Sequence, residues 1–516
     1  MTEGVVRTRT PLSEHAGAGF SIEESIVSQE STHNGKKLPP LLKKDSGYLP
    51  LLGHAVQLKR KPLELLSAGR QQFGELFSLN LAGQKTAVFS GPAANEAYFR
   101  APDDQFSAKE AYQMMVPVFG KGVVYDCSTE MMGEQLGFLF PALREQRLRS
   151  YVNIFNEELE RYFASWGNEG TADIYTSTNE ATVFIASRCL LGKDFRDNMS
   201  AHFAALYHDL QLGINLIAFF APNIPIPAFR KRDAAREEIV RLVSRVMQER
   251  RQSGKTEEDF TQTLMESAYK DGRALSDHEI AGLIIAALFG GQHTSAVLSA
   301  WGVIEMLRHP QLIAPLRAEQ DAVLGTRKNV TIEDLRVMPR LEHLALETER
   351  HHPPLIMLMR KVLRDFQYKD FVVPAGWMAM VSPGLSHMLP EVFAEPWRFD
   401  PSRFAPPRAE HKKQNHSMIT FGGGKHRCVG MAFGFLQVRA VINYIMRNFD
   451  MELVDQRPVP DFSGFVVGPI QPCLVRYKRR QPASQIPLSP AASAAPAPSA
   501  AAGAAVAKPE AAAPAL

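Results

Sequence analysis

The segment FGGGKHRCVG, residues 421–430, carries the residues of this chain best suited to chemistry. Gly422, Gly423 and Gly424 allow a tight backbone turn and the close approach of a flat ligand. Cys428 follows just ahead of the helical run MAFGFLQVRAVI, residues 431–442. Amide donors and the dipole at a helix N-terminus favour a thiolate over a thiol, and a thiolate ligates metals. Phe421 precedes the cysteine by seven residues, where its ring can shield the sulfur from water. A buried, inert cysteine is the commoner fate of this residue type. The joint Phe-x-x-Gly-x-x-x-Cys-x-Gly spacing argues against that fate here.

Two further constellations stand upstream. AALFGGQHTSAV, residues 286–297, places His293 and Thr294 inside an otherwise apolar helix. Gly290 and Gly291 weaken the backbone ladder there, and Thr294 can hydrogen-bond back into it, so the helix is expected to open or kink. Such a pair in isolation is as often a satisfied core niche as a working group. A histidine near neutral pH can also shuttle protons. Glu347 and Arg350 form Glu-x-x-Arg, which alone is a common i, i+3 surface pair.

The elements that must hold these residues are mostly helical. Ser276 and Glu279 form a capping box, and Pro310 stops the pattern, so a helix is predicted from Asp277 to Arg308. At that length it spans roughly 48 Å and crosses a large domain. Its first half is apolar on nearly every face and should be central. Thr331 and Asp334 cap a later helix, and LEHLALETER, residues 341–350, lies in another that ends before Pro353. Short strands are predicted over Phe371–Val373 and Trp377–Val381, with little other sheet.

Composition bounds the rest. With 45% hydrophobic and 22% charged residues in 516, the chain is globular. A net charge of +3 makes general nucleic-acid binding an unsuitable function. Four cysteines without short spacing exclude a disulfide scaffold and a Cys-x-x-Cys clip, and fit a reduced cytoplasm. No signal peptide or transmembrane segment is expected; the apolar run Ile280–Gly291 is too short to span a bilayer. Residues 1–37 form a loose arm and 38–478 a dense body. Residues 479–516 form an Ala/Pro-rich tail: 15 of the last 26 residues are Ala, too little surface to order the segment. Such a tail is expected to be either a plain disordered end or a linker toward a further domain, of which a fused redox domain is one candidate.

With Glu347, Arg350 and the FDPSRF segment that carries Arg403, the Cys428 loop resembles the cytochromes P-450, the haem-thiolate monooxygenases. Gly-Gln-His-Thr-Ser, residues 291–295, is more specific and resembles the sterol 14α-demethylase family. AYQMMVPVFGKGVVYD (111–126), ALYHDLQLGI (205–214), HHPPLIMLMRK (351–361) and GYLPLLGH (47–54) agree, so the resemblance covers residues 38–478.

That resemblance implies the P-450 fold, mainly α with a smaller β-rich part, as a single catalytic domain. It implies haem b with Cys428 as axial iron ligand. Tyr112, Tyr125, Arg360 and His426 match propionate-binding positions, and Phe421 and Gly424 belong to the haem loop. Met114, Met115, Val116, Phe119, Ala287, Leu288, Gly291, Leu355, Ile356 and Met357 would line a sterol pocket. Thr294 and His293 would deliver protons, and Glu347, Arg350 and Arg403 would form a supporting charge network. The implied reaction removes the 14α-methyl group of a lanosterol-type sterol as formate, using dioxygen and electrons from NAD(P)H. Those electrons pass through a ferredoxin or flavodoxin-type partner. Rival readings are hydroxylation of a fatty acid or terpenoid, an isomerase of the same fold, and a non-catalytic haem or sterol binder.

Departures from the family are visible. Gly133 replaces a lysine that contacts a propionate, a role that Gln135 is expected to take. Glu349 is charged where an apolar or neutral residue is usual. The membrane anchor of eukaryotic relatives is absent. The expected location is therefore the cytoplasm, with a peripheral membrane contact as the alternative. Arg408, His411, Lys412, Lys413, Lys425 and Arg427 cluster in sequence around the Cys loop, a solvated surface or a docking face for an acidic electron donor.

Overall fold

The computed structural model describes residues 32–43, 47–197, 201–214 and 216–480. The arm 1–31 and the Ala/Pro tail from 481 lie outside the described residues. The ordered body begins earlier than the expected boundary at 38. Residues Thr32–His33 and Lys36–Lys37 pair antiparallel, and Lys37 joins Phe371 of a small sheet.

The organising element is the central helix, Asp277–Arg308. It starts on the expected capping box: the Ser276 hydroxyl accepts from the Glu279 amide, and the Glu279 carboxylate accepts from the Ser276 amide. Each half of the helix serves a different core. Its first half, Ile280 to Leu288, packs with Met114, Met115, Val118, Phe119, Phe229 and Ile239. Its second half, Val297 to Met306, packs with the helices Glu145–Phe163, Ile174–Leu191, Pro339–His351 and Met431–Asn448. Between the two cores lies the stretch around Gly290. Nothing stands within 4 Å of where a Cβ would sit at Gly290 or Gly291. The chain does not leave the α-helix at this stretch. Its backbone runs unbroken, and the Thr294 hydroxyl adds a bond to the Gly290 carbonyl at 2.9 Å. It is also long and apolar enough to cross a membrane, but 61% of its apolar window is buried inside the protein.

A five-stranded sheet flanks this bundle. Its strands are β1 (Leu76–Leu81), β2 (Gln84–Phe89), β3 (Phe106–Ser107), β4 (Leu358–Val362) and β5 (Met378–Val381). Their spatial order is β1-β2-β5-β4-β3. Only the β2–β5 pair is parallel. This topology brings β3, the lead-in to Tyr112, beside β4, which carries Arg360. A three-stranded sheet of Glu169–Asp173, Leu474–Arg479 and Phe449–Leu453 closes the other end, so the ordered body runs just past the expected boundary at 478.

Close crossing of the central helix and the Met431–Asn448 helix depends on Gly302. A Cβ there would lie 2.4 Å from Ile442 Cδ1. Gly302→Val should therefore cost about 1–3 kcal/mol through overpacking. Urea unfolding measures this, and an unchanged midpoint would refute the close crossing.

Candidate active site

The lower wall of the site is a buried charge network. Glu347 and Arg350 sit one turn apart on the Pro339–His351 helix, so their side chains meet. Arg350 donates through Nε to Glu347 Oε2 at 2.7 Å and through Nη2 to Oε1 at 2.8 Å. Arg403 Nε reaches the same Oε1 at 3.0 Å, and the Asp400 amide reaches it at 2.7 Å. Arg403 also binds Glu410 at 2.8 Å. All three expected network residues are fully buried, which removes the surface-pair reading. Burial alone would raise the Glu347 carboxyl, but hydrogen bonding and charge from Arg350 outweigh it and hold it at about 2.

The cysteine loop rests above this network. The Phe421 carbonyl accepts from the Cys428 amide at 2.8 Å. Gly424 has φ +61, and a Cβ on it would lie 2.5 Å from the Phe99 carbonyl, so the turn demands glycine. Cys428 keeps exposed surface as a residue, although protein atoms surround most of its thiol. Its thiol departs from the sequence expectation. The surrounding enclosure raises it above the ordinary value, and amides of Gly430 and Met431 oppose that only partly. A bound cation at the sulfur would favour the thiolate over the thiol.

Four residues expected to meet propionates converge near one another. Arg360 is buried on β4, and its Nη1 donates to the carbonyls of Tyr98 at 3.2 Å and Ala101 at 3.5 Å. Among the described residues it has no carboxylate partner. The Tyr112 and Tyr125 rings lie 5.3 Å apart, and the Tyr112 hydroxyl accepts from the Met359 amide at 3.2 Å. The Arg360 charge reaches both Tyr112 and His426. His426 is already committed through Nε2 to Asp103, which also binds Lys425 at 2.7 Å. Only its other nitrogen remains for a further ligand. Gln135 does not take the propionate role. It is spent on the chain itself, accepting from the Val124 amide at 2.7 Å and donating to the Gly122 carbonyl at 2.8 Å and the Tyr269 hydroxyl at 3.0 Å. It fixes the loop that presents Tyr125.

A haem fits these residues. A cysteine that keeps exposed surface, a buried guanidinium without a counterion and an open stretch of central helix together match an iron ligand, a carboxylate partner and a face left free for a flat group.

The upper wall is the central helix. Ala287, Gly290, Gly291 and Thr294 fall at i, i+3, i+4 and i+7, one stripe that lines the open stretch. Gly290 is not among the lining residues expected from sequence, yet it is the most exposed member of the stripe. Leu288 turns away into the first core with Met114, Met115 and Phe119. In that segment Val118, not Val116, is fully buried. Phe289, also missed, packs edge-on to Phe119 at 6.3 Å and beside Tyr207 at 5.1 Å. Ile356 is buried and Leu355 half-buried beside the sheet, while Met357 packs against the separate cluster of Leu65, Phe77 and Met380.

His293 is mostly enclosed. Its Nδ1 lies 2.9 Å from Gln211 Nε2 and 2.9 Å from Gln292 Oε1. A neutral ring satisfies one at a time: Nδ1 accepts from Gln211 in one tautomer and donates to Gln292 in the other. Gln292 in turn donates to Asn179. Burial, then the His208 charge, push His293 down to about 4.

Around the loop, the basic cluster is partly neutralised. Arg408 binds Asp400 at 2.7 Å and Glu410 at 2.8 Å. Lys412, Lys413 and Arg427 are exposed and have no ion pair among the described residues.

Residues 45–475 match the cytochrome P-450 family. A sterol 14-demethylase of Arabidopsis thaliana is 39% identical over 453 residues, covering 86% of this chain and 92% of its own. A sterol 14alpha-demethylase of Mycobacterium bovis is 36% identical over 435 residues, covering 83% of this chain and 96% of its own. The solved structure of retinoic acid-bound cyanobacterial CYP120A1 superimposes with a TM-score of 0.77 at 23% identity, over 87% of this chain and all of that one. At that identity it speaks to the fold.

Two measurements check this geometry. Glu347→Gln leaves two buried guanidiniums facing each other, and unfolding in urea should show a loss of about 3–5 kcal/mol. Undiminished stability would mean that Glu410 and the carbonyl partners suffice for both. His293 binds its proton only as pH falls to about 4, while the unfolded chain takes it near 6.5. Its contribution to stability is therefore complete above 6.5 and shrinks as pH falls toward 4. The pH–stability curve of His293→Asn should be flatter across that window than the parent's; parallel curves would contradict the buried neutral ring.

Proposed function

Because the chain belongs to the cytochrome P-450 family, we propose that it is a sterol 14α-demethylase, removing the 14α-methyl group of a lanosterol-type sterol by successive monooxygenations and releasing formate. The observation that carries this reading is its 39% and 36% identity, over most of both chains, to relatives named for that activity. The Met- and Phe-rich first core beside an open glycine stripe supports it, since a rigid apolar ligand needs an apolar wall and room against the helix.

In this reading Cys428 ligates haem iron through Sγ. Arg360, Tyr112 and Tyr125, with the remaining nitrogen of His426, hold the propionates by charge and hydrogen bonding. When bound, the haem supplies dioxygen activation and one-electron chemistry. The chain's own residues do the rest. Met114, Met115, Phe119, Ala287 and Gly291 orient the sterol and exclude water. The Thr294 hydroxyl rests on the Gly290 carbonyl, with its oxygen on the open stripe. Its proton points to that carbonyl, so the oxygen faces the stripe as an acceptor and proton delivery requires the hydroxyl to rotate away from Gly290. His293, neutral near pH 7, presents Nδ1 as an acceptor to Gln211 in one tautomer and as a donor to Gln292 in the other. Electrons from NAD(P)H come through an acidic ferredoxin or flavodoxin that docks on the unpaired cations Lys412, Lys413 and Arg427.

The test begins with an absorption titration of purified ferric protein against 14α-methyl sterols, fatty acids and terpenoids. Sterols alone should give a saturable low- to high-spin shift, and turnover with a reductase system should release formate. A shift with fatty acids or terpenoids alone would keep the fold and remove the substrate assignment. Thr294→Ala should bind the same sterols but lose about 10²-fold in demethylation, the lower end for a positioned proton-transfer group. Unchanged turnover would remove Thr294 from the chemistry.

A further inference from the structure

Among the described residues, no ion pair joins the charge network to the cysteine loop. His387, which no sequence motif marks, stands between them. It follows the short helix Pro383–Ser386 and is completely buried. Its backbone carbonyl accepts from Arg350 Nη1 at 2.9 Å. Its ring Nε2 accepts from the backbone amide of Ile419 at 2.9 Å. Ile419 opens the cysteine loop: its carbonyl accepts from the Gly422 amide at 2.9 Å, and the next turn is closed by the Cys428 amide on the Phe421 carbonyl at 2.8 Å. One residue thus grips the Glu347–Arg350 pair with its main chain and the loop with its side chain.

We propose that His387 is a positioning residue for Cys428, its ring acting as a fixed acceptor that transmits the placement of the buried charge network to the loop that carries the sulfur. This deepens the haem-thiolate reading and rests on it.

The chemistry requires an acceptor at that point. A buried amide left unpaired costs about 1–3 kcal/mol. A protonated ring would set an N–H against the Ile419 N–H. Burial, and then the neighbouring Arg350 charge, hold the ring neutral, pushing its pKa to about 3. The other nitrogen, Nδ1, has no partner among the described residues. A histidine kept there with one nitrogen unsatisfied is not explained by packing alone, because a leucine would fill similar space without that cost. Neighbouring supports act further back. Asn95 Nδ2 binds the His416 carbonyl at 3.0 Å, and the Ser417 hydroxyl binds the His411 carbonyl at 3.0 Å. Between Ile419 and the network, the His387 ring supplies a direct hydrogen-bonded link, while buried Glu349, beside Arg350, faces the next loop residue, Thr420.

The experiment uses the holoenzyme and three variants. His387→Gln keeps an acceptor oxygen at the reach of Nε2, His387→Asn places it too short, and His387→Leu removes it. Two readouts are followed: the lifetime of the thiolate-type absorption band of the ferrous carbon monoxide complex, and hydrogen exchange of the peptide containing Ile419. The glutamine variant should match the parent in both. The leucine and asparagine variants should convert to the thiol-ligated form at least tenfold faster and exchange the Ile419 amide at least tenfold faster. Equal lifetimes and exchange in all variants would overturn the proposal. So would a glutamine variant as impaired as leucine, since that is a purely structural loss. If the leucine variant does not fold, the glutamine and asparagine pair decides the matter alone. A parent holoenzyme lacking the thiolate-type band would instead overturn the reading of Cys428 itself.

Discussion

One buried carboxylate bears more of this structure than any other group. Glu347 accepts from Arg350, Arg403 and the Asp400 amide at once, in a fully buried position. Two guanidiniums in the interior are tolerable because that carboxylate, Glu410 and a ring of backbone carbonyls complete their hydrogen bonds. The arrangement ties together the Pro339–His351 helix, the short helical turn Pro401–Phe404 and, through the His387 carbonyl, the segment after β5. These are the pieces on which the Cys428 loop is laid.

The opposite wall follows a different rule. The central helix is held by two apolar cores and left bare between them. Small residues at Ala287, Gly290 and Gly291 keep the gap open, and Thr294 introduces a hydroxyl into it. The helix continues there between the two flanking cores, and the threonine hydroxyl adds a hydrogen bond to the Gly290 carbonyl. A site between a rigid charged floor and a rigid apolar ceiling can present one sulfur and one hydroxyl to each other's space with little freedom in either.

Several site residues are legible in the amino-acid sequence alone, and the reasons differ. Cys428, Glu347, Arg350 and Arg403 sit in local patterns whose spacing sets their meaning. The limits of the central helix are legible because a capping box and a proline are local signals, and the fold keeps both. Other features are not local. Gln135 is expected at a propionate, but its amide is consumed by Val124, Gly122 and Tyr269, a set defined only when separate segments meet. Asp103 claims His426 from more than three hundred residues away. The thiol of Cys428 depends on how deeply the loop is enclosed, and enclosure outweighs the helix terminus that its sequence position suggests.

The amino-acid sequence by itself carried the family resemblance and the limits of the central helix, because motifs, capping and apolar periodicity are local; the resemblance then implied the proposed roles of the sulfur, the threonine and the charge set. The tertiary structure decided which polar groups are already spent. It assigned Gln135 to the loop that presents Tyr125, His426 to Asp103, Leu288 to the core and the ring of His387 to the Ile419 amide. The physical reason is satisfaction: in a protein interior every donor and acceptor must find a partner, and which partner it finds depends on chain segments that only folding brings within hydrogen-bonding reach.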